Sequence, residues 1–302
     1  MTGGAVSFSW NIVTDLRTMW EFGFMRNAFE AGTIIAIVAG IIGYFAVVRR
    51  LAFATHALGH VGFSGAAGAV LFGVNPVDGL LLFTTTGGVG MGLLGRRASN
   101  RDIEIGTVLA FMLGVGLLFL TLYKGYATEA YSILFGEILG ISASGVVFTL
   151  EASIVVLLVM ALIYRRLLFA SLDEDVAEAK GLPMLLLGLT FMILLAVAIS
   201  IAVQVVGVLL IFALMVTPAA VAVRLTKRPL YAVVVSILVA LFATWVGLFV
   251  QFYAQYPASF FIVTIAFAFY VAVRAGQAIA GRLVHRNAPV VGPSSKTGTG
   301  ST

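Results

Sequence analysis

Long apolar runs separated by short polar segments dominate the chain. An α-helix needs roughly 20 apolar residues to cross a bilayer, and nine runs have about that length. They cover residues 28–48, 52–73, 78–95, 103–123, 146–165, 184–203, 205–223, 229–252 and 258–280. The pattern predicts an all-α integral membrane protein, a polytopic bundle of about eight to ten transmembrane helices with nine as the working count.

A tenth segment, YSILFGEILGISA at 131–143, is apolar but too short for an ordinary span, and it contains Glu137. Membranes tolerate a broken helix only where protein or a water-filled cavity covers its backbone. We therefore expect a short or broken helix here. Two roles are open for Glu137, which are capping or hydrogen bonding within the segment and contact with a transport path.

The composition indicates that lipid or other buried helices surround most of the chain. Hydrophobic residues make up 61% of the 302 residues, charged residues make up 10%, and the mean hydropathy is +1.10. A soluble domain has about 25% charged residues. The chain contains no cysteine, which excludes disulfides and thiolate metal ligands. The first residues lack the pattern of a secretory signal, so we expect none.

The net charge of +5 comes from basic clusters between the apolar runs. The clusters are Arg49-Arg50, Arg96-Arg97-Arg101, Arg165-Arg166, Arg224-Lys227-Arg228 and Arg274-Arg282-Arg286. This is the positive-inside pattern of a multi-pass protein and not a nucleic-acid surface. Nine spans place the N-terminus outside and ten place it inside. Both arrangements place 166–183 and the C-terminus in the cytoplasm.

Three regions follow from this pattern. Residues 1–27 carry Trp and Phe among polar residues, which is typical of a segment at the membrane interface. Residues 28–281 form the transmembrane domain. Residues 282–302 lead into a tail rich in Gly, Ser, Thr and Pro that we expect to be disordered.

The longest polar segment, YRRLLFASLDEDVAEAKGLP at 164–183, predicts a short amphipathic helix over about 171–182. Ser171 or Asp173 can cap its N-terminus, and Gly181 ends it. Its apolar stripe consists of Leu172, Val176 and Ala179, with Ala177 nearby. The segment is either a solvated connection or a docking element for a cytoplasmic partner.

Four segments in matching order resemble the permease subunit of the zinc/manganese-type ABC metal importers. The family's cytoplasmic coupling helix has the pattern D-x-x-x-A-x-x-x-G-L, which DEDVAEAKGLP matches. The pattern V-G-x-L-L-x-x-A-L-x-x-x-P-A-A-x-A is matched by VGVLLIFALMVTPAAVA at 206–222, and L-F-G-[acidic]-x-L by LFGEILGIS at 134–142. The pattern R-R-x-S-F-x-G-D-A-L-S-H aligns with RRLAFATHALGH. The resemblance covers roughly residues 24–281.

The resemblance implies both a function and partners. It implies a plasma-membrane permease that takes up a divalent metal ion, zinc first and manganese next, without a permanently bound cofactor. It also implies a separate cytoplasmic ATPase, an extracytoplasmic metal-binding protein and a second permease copy. The ATPase would couple through Asp173, Glu174, Ala177, Gly181 and Leu182.

Two of the three histidines, His56 and His60, are four residues apart in ATHALGHVGFSG. On a helix they share a face, with Cβ atoms about 5–6 Å apart, and can hold one ion. The alternative is a packing role with satisfied hydrogen bonds. The family has Asp where this chain has His56, and an imidazole pair suits zinc better than manganese. Zinc usually takes four ligands, so water, Glu137 or a facing pair from the second copy would complete the shell.

Pro218, in VTPAAVA, removes one backbone hydrogen bond from a predicted span. It is either a static kink or a hinge beside the pathway. The small residues that recur through 59–68 and 87–95 predict close helix packing in lipid.

Three other functions are weighed against the importer. An intramembrane metalloprotease needs H-E-x-x-H, and Ala57 stands in the place of the Glu. A secondary transporter usually buries charged groups at mid-membrane, whereas Glu104, Glu129 and Glu151 fall near span ends. A permease for a metal chelate shares the broad architecture. The chain lacks G-x-x-x-x-G-K-[ST], so we expect ATP hydrolysis in a partner and no catalytic residue here.

Overall fold

A computed structural model describes residues 12–94, 101–123, 136, 138–254 and 256–286. These residues form eleven α-helices and one 3-10 turn, with no strand among them. The helices are α1 Ile12–Glu21, α2 Gly23–Val48, α3 Ala52–Leu71, α4 Pro76–Leu94, α5 Arg101–Leu122, α6 Ala143–Leu172, α7 Glu174–Ala179, α8 Met184–Val206, α9 Val208–Leu225, α10 Pro229–Ala254 and α11 Ala258–Arg286. The predicted all-α class is confirmed.

Seven helices in the described part of the chain are long and apolar enough to cross a membrane, namely α2, α5, α6, α8, α9, α10 and α11. Helices α3 and α4, of 20 and 19 residues, coincide with the predicted spans 52–73 and 78–95 but are not among these seven. Helix α3 contains four Gly, and α4 contains five Gly and three Thr. Helix α3 is buried along most of its length, so neighbouring helices and not lipid surround it. The chain is a multi-pass helical membrane protein.

Several helix ends differ from the sequence-based boundaries. Helix α2 begins at Gly23, inside the segment 1–27 that was expected at the interface. Helix α11 continues to Arg286, beyond the expected domain end at 281. Residues 1–11 and 287–302 lie outside the described residues.

The tenth segment is short in its described part. Ile138–Gly140 form a single 3-10 turn, and the buried Ile138 packs against α2 near Gly32. Gly136 has φ +74° and lies against the junction of α8 and α9, where a Cβ atom would collide with the backbone of Val206. Glu137 lies outside the described residues.

Small residues bring the helix backbones into close contact. A Cβ atom on Gly65 would collide with the carbonyl oxygen of Gly79, and one on Gly79 with that of Gly65, so α3 and α4 touch through their backbones. The hydroxyls of Thr84 on α4 and Ser200 on α8, both fully buried, are 2.5 Å apart. Such glycine contacts and paired hydroxyls are the usual means of helix association in lipid.

Gly43 offers a test of this packing. Gly43→Ala is expected to lower the free energy of unfolding by about 1–3 kcal/mol, because the added Cβ would overlap the carbonyl oxygen of Met215 on α9. Gly90→Ala is the matched control, since no atom lies within 4 Å of a Cβ there. Thermal unfolding in detergent compares the two variants. Equal midpoints would contradict the close approach of α2 and α9.

Candidate metal site and its cytoplasmic connection

His56 and His60 lie one turn apart on α3. Their ring centroids are 4.7 Å apart and the ring planes meet at 81°. Both side chains are partly buried. Zinc–nitrogen bonds are about 2.0–2.1 Å long, so two nitrogens on one ion lie within about 4 Å of each other, a separation comparable with that of the two ring centroids. The structure therefore brings together the two residues that the spacing singled out.

The histidine pair lies where α3 meets α9 and α5. The ring of His56 packs edge-on against Phe212 of α9, with centroids 5.3 Å apart. A Cβ atom on Gly59 would lie 3.3 Å from a methyl group of Val208, so glycine at this position lets α9 approach α3 closely. One turn beyond His60, the Ser64 hydroxyl donates to the carbonyl oxygen of Met112 on α5 at 2.5 Å.

The Nδ1 atom of His60 is buried and has no hydrogen-bond partner among the described residues. A buried polar atom without a partner costs about 1–3 kcal/mol, and coordination of a metal ion supplies such a partner. A packing role with satisfied hydrogen bonds fits this nitrogen less well. The described residues contain no group of three or more His, Cys, Asp or Glu placed to hold a metal. Zinc usually takes four ligands, and the two imidazoles would supply two of them.

The segment predicted as a cytoplasmic helix contains α7, which is six residues long and so shorter than 171–182. Of the two candidate caps, Asp173 is the one that caps the N-terminus of α7, because its carboxylate accepts a hydrogen bond from the backbone N–H of Val176 at 3.0 Å. Ser171 belongs to the last turn of α6 and donates to the carbonyl oxygen of Leu167 at 2.6 Å. Glu174 is the first residue of α7 and is exposed.

Helix α7 ends in a Schellman motif. Gly181 has φ +78°, a left-handed conformation that favours glycine. The N–H of Gly181 donates to the carbonyl oxygen of Glu178 at 2.8 Å, and the N–H of Leu182 donates to that of Ala177 at 3.2 Å. Ala177 is also fully buried. The D-x-x-x-A-x-x-x-G-L pattern thus describes one compact helix with both ends capped.

The apolar side chains expected on and beside this helix lie on two different faces. Ala177 packs inward, whereas the side chains of Leu172 and Val176 are 67% and 42% exposed. Exposed aliphatic side chains beside a short helix form a surface suited to a protein partner.

A polar cavity of about 510 Å³ separates the end of α2 from the junction of α6 and α7. Its charged lining residues are Arg49, Arg50, Asp102 and Glu174. Arg49 donates to the hydroxyl of Ser171 at 3.5 Å, and its guanidinium lies 5.9 Å from the ring centre of Phe191. From the sequence alone, Arg49 was used only as a charge that sets the orientation of the chain across the membrane. Its position shortly before the helix that carries the histidines could have indicated a structural role.

Pro218 is buried within α9, which runs through it without interruption. The nearby break in the helices lies instead at Gly207, where φ is +81° and the flanking Val206 and Val208 are buried. The two predicted spans 184–203 and 205–223 therefore separate a few residues later than expected.

Comparison with known proteins identifies the family. A family model described as the ABC 3 transport family matches residues 21–277. This chain belongs to the ABC 3 transport family. The recognition made from four short segments of the sequence is thereby confirmed.

Two relatives that this chain resembles have manganese in their names. A manganese transport system membrane protein of Listeria innocua is 30% identical over 214 residues, which is 70% of this chain and 76% of the relative. The manganese import system permease protein ScaB of Streptococcus gordonii is 28% identical over 238 residues, covering 78% of this chain and 85% of the relative. The solved structure of PsaBC from Streptococcus pneumoniae in complex with Fab matches 87% of this chain and 95% of its own, with a TM-score of 0.77 and 26% identity.

Proposed function

We propose that this chain is the membrane-spanning permease of an ABC importer that takes up a divalent transition-metal ion. The observation that carries the proposal is the pair His56 and His60, with the buried and unpaired Nδ1 of His60, inside the helix bundle. Membership of the ABC 3 transport family and relatives named as metal permeases support it.

The pair would hold the ion transiently and not as a resident cofactor. A conduction site has to release its ion, so a closed four-ligand cage would bind too tightly. Water and a facing pair from a second permease copy are the proposed additional donors, with Glu137 as a further candidate. Within the described residues the two imidazoles have no third metal-binding side chain beside them, which supports a shared or hydrated site.

Zinc is the proposed preferred ion, with manganese second. Two imidazole donors favour zinc because nitrogen ligands suit it, whereas manganese prefers carboxylate oxygen. The names of the relatives favour manganese. Competition between Zn²⁺ and Mn²⁺ for uptake by the reconstituted importer tests the choice, and preferential uptake of Mn²⁺ would reverse it.

Converting the first histidine to the carboxylate of the family pattern gives a sharper form of this test. His56→Asp is expected to raise the ratio of manganese to zinc uptake by at least about tenfold, because an oxygen donor replaces a nitrogen donor. His285→Asp, which alters the third histidine near the end of α11, is the control. An unchanged ratio in His56→Asp would show that residue 56 does not select the metal.

We propose further that a cytoplasmic ATPase docks on α7 and drives the transport cycle. Asp173, Gly181 and Leu182 would keep the helix capped, Ala177 would anchor it to the bundle, and Glu174 would lie at the docking surface. An extracytoplasmic binding protein would deliver the ion from the other side.

A physical connection between α7 and the histidines supports this coupling. Ser171, two residues before Asp173, contacts Arg49, which ends α2 immediately before α3. A displacement of α7 would therefore reach the start of the helix that carries His56. Pro218 is the proposed hinge in α9, the helix that packs on His56 through Phe212.

A further inference from the structure

A cavity distinct from the histidine pair combines apolar walls with two arginines. A cavity of about 530 Å³ opens between α2, α6 and α10. Its apolar walls come from Ile41, Leu157, Met160, Ala161, Leu162 and Val233. Tyr164, Arg165 and Arg166 complete its lining.

The position of these residues along α6 places the two arginines at a membrane surface. Helix α6 runs from Ala143 to Leu172 and is about 45 Å long at 1.5 Å per residue, so a hydrocarbon layer of about 30 Å does not contain the whole helix, and its basic end with Arg165 and Arg166 lies at a membrane surface. The helix then continues to Leu172 and the polar segment assigned to the cytoplasm. The cavity is therefore apolar at the depth of the acyl chains and basic at the depth of the cytoplasmic headgroups.

Both arginines are exposed and lack a protein partner within the described residues. The ion pair between Arg26 and Glu30 lies on α2 and involves neither arginine. The side chains of Arg165 and Arg166 are thus available to an anion from outside the protein.

We propose that this cavity binds an anionic phospholipid of the cytoplasmic leaflet. One acyl chain would lie along Leu157, Ala161 and Leu162, and the phosphate would pair with Arg165 and Arg166. Basic pockets between transmembrane helices on the cytoplasmic side are suited to such headgroups. A second copy of the chain fits the cavity less well, because a two-fold interface would bring a second pair of arginines against the first.

The lipid would join helices that serve different parts of the transporter. Helix α2 leads to Arg49 and the histidine helix, and α6 leads to α7 through Asp173 alone. A bound lipid that contacts both helices would hold them together near the cytoplasmic face. Its binding does not depend on which metal is transported.

Native mass spectrometry of the delipidated full-length permease, titrated with phosphatidylglycerol or phosphatidylcholine, tests the proposal. The protein is expected to bind phosphatidylglycerol about 30-fold more tightly, from two arginine contacts near the membrane surface. Arg165→Gln combined with Arg166→Gln is expected to lose this preference. Arg274→Gln, which changes an exposed arginine on α11, is expected to keep it.

A second pair of variants separates the cavity from the charges. Ala161→Phe fills the cavity while leaving both arginines, and is expected to weaken phosphatidylglycerol binding at least about tenfold through lost burial of the acyl chain. Val155→Phe, on an exposed part of α6 outside the cavity, is the control. Equal affinity of the unmodified permease for the two lipids would overturn the proposal without any variant. So would an undiminished affinity for phosphatidylglycerol in Ala161→Phe, or a disulfide between two copies through Leu162→Cys.

Discussion

Replacing both His56 and His60 with alanine is expected to reduce metal uptake by more than about 100-fold. Loss of groups that merely support metal ligands costs about 10–100-fold in affinity or activity, and here both imidazole donors of the chain's candidate site are removed. The side chains are only partly buried, so the helix bundle should tolerate the change. Uptake of ⁶⁵Zn²⁺ into proteoliposomes that contain the complete importer measures the effect.

Two controls accompany the double variant. His285→Ala removes the third histidine of the chain and is expected to leave uptake unchanged. Copurification with the ATPase is expected to persist in the double variant, because α7 and its caps are untouched. Uptake at normal affinity without the two imidazoles would refute their assignment as ligands.

Placing charges on the exposed aliphatic side chains beside α7 is expected to disconnect the permease from its ATPase. Leu172→Asp combined with Val176→Asp should weaken association with the ATPase at least about tenfold, because two apolar contacts are replaced by carboxylates that lose water on docking. Both side chains are exposed, by 67% and 42%, so the permease is expected to fold normally with the two substitutions. Copurification and metal-dependent ATP hydrolysis measure the loss.

Val74→Asp is the matched control for this variant. Val74 is 53% exposed. It follows the C-terminal end of α3, the end opposite to Ala52. Its replacement is expected to leave assembly with the ATPase intact. If the double aspartate variant assembled and hydrolysed ATP as the unmodified permease does, α7 would not be the docking element.

Much of the fold followed from periodicity and length, because each long apolar run has to form a helix to satisfy its backbone in lipid. The shared face of His56 and His60 followed in the same way, since residues four apart on any helix are neighbours. The cap at Asp173 and the left-handed Gly181 were also predictable, because their side-chain chemistry determines the local backbone.

Other features depend on contacts that no local pattern contains. The apolar sequence continues on both sides of Gly207, so the position of that break depends on how α8 and α9 pack. The contact of Arg49 with Ser171 joins residues 122 positions apart in the chain. The difference between the buried Ala177 of α7 and the exposed Leu172 at the end of α6 depends on the turn that separates the two helices.

The X-ray absorption spectrum of Zn²⁺ bound to the permease–ATPase complex, prepared without the binding protein, tests the metal ligation most directly. The histidine site predicts imidazole nitrogen scattering with Zn–N distances of about 2.0–2.1 Å, and loss of that scattering in His56→Ala combined with His60→Ala. An identical imidazole signal in that variant would mean that the ion binds elsewhere and that these two side chains do not hold it.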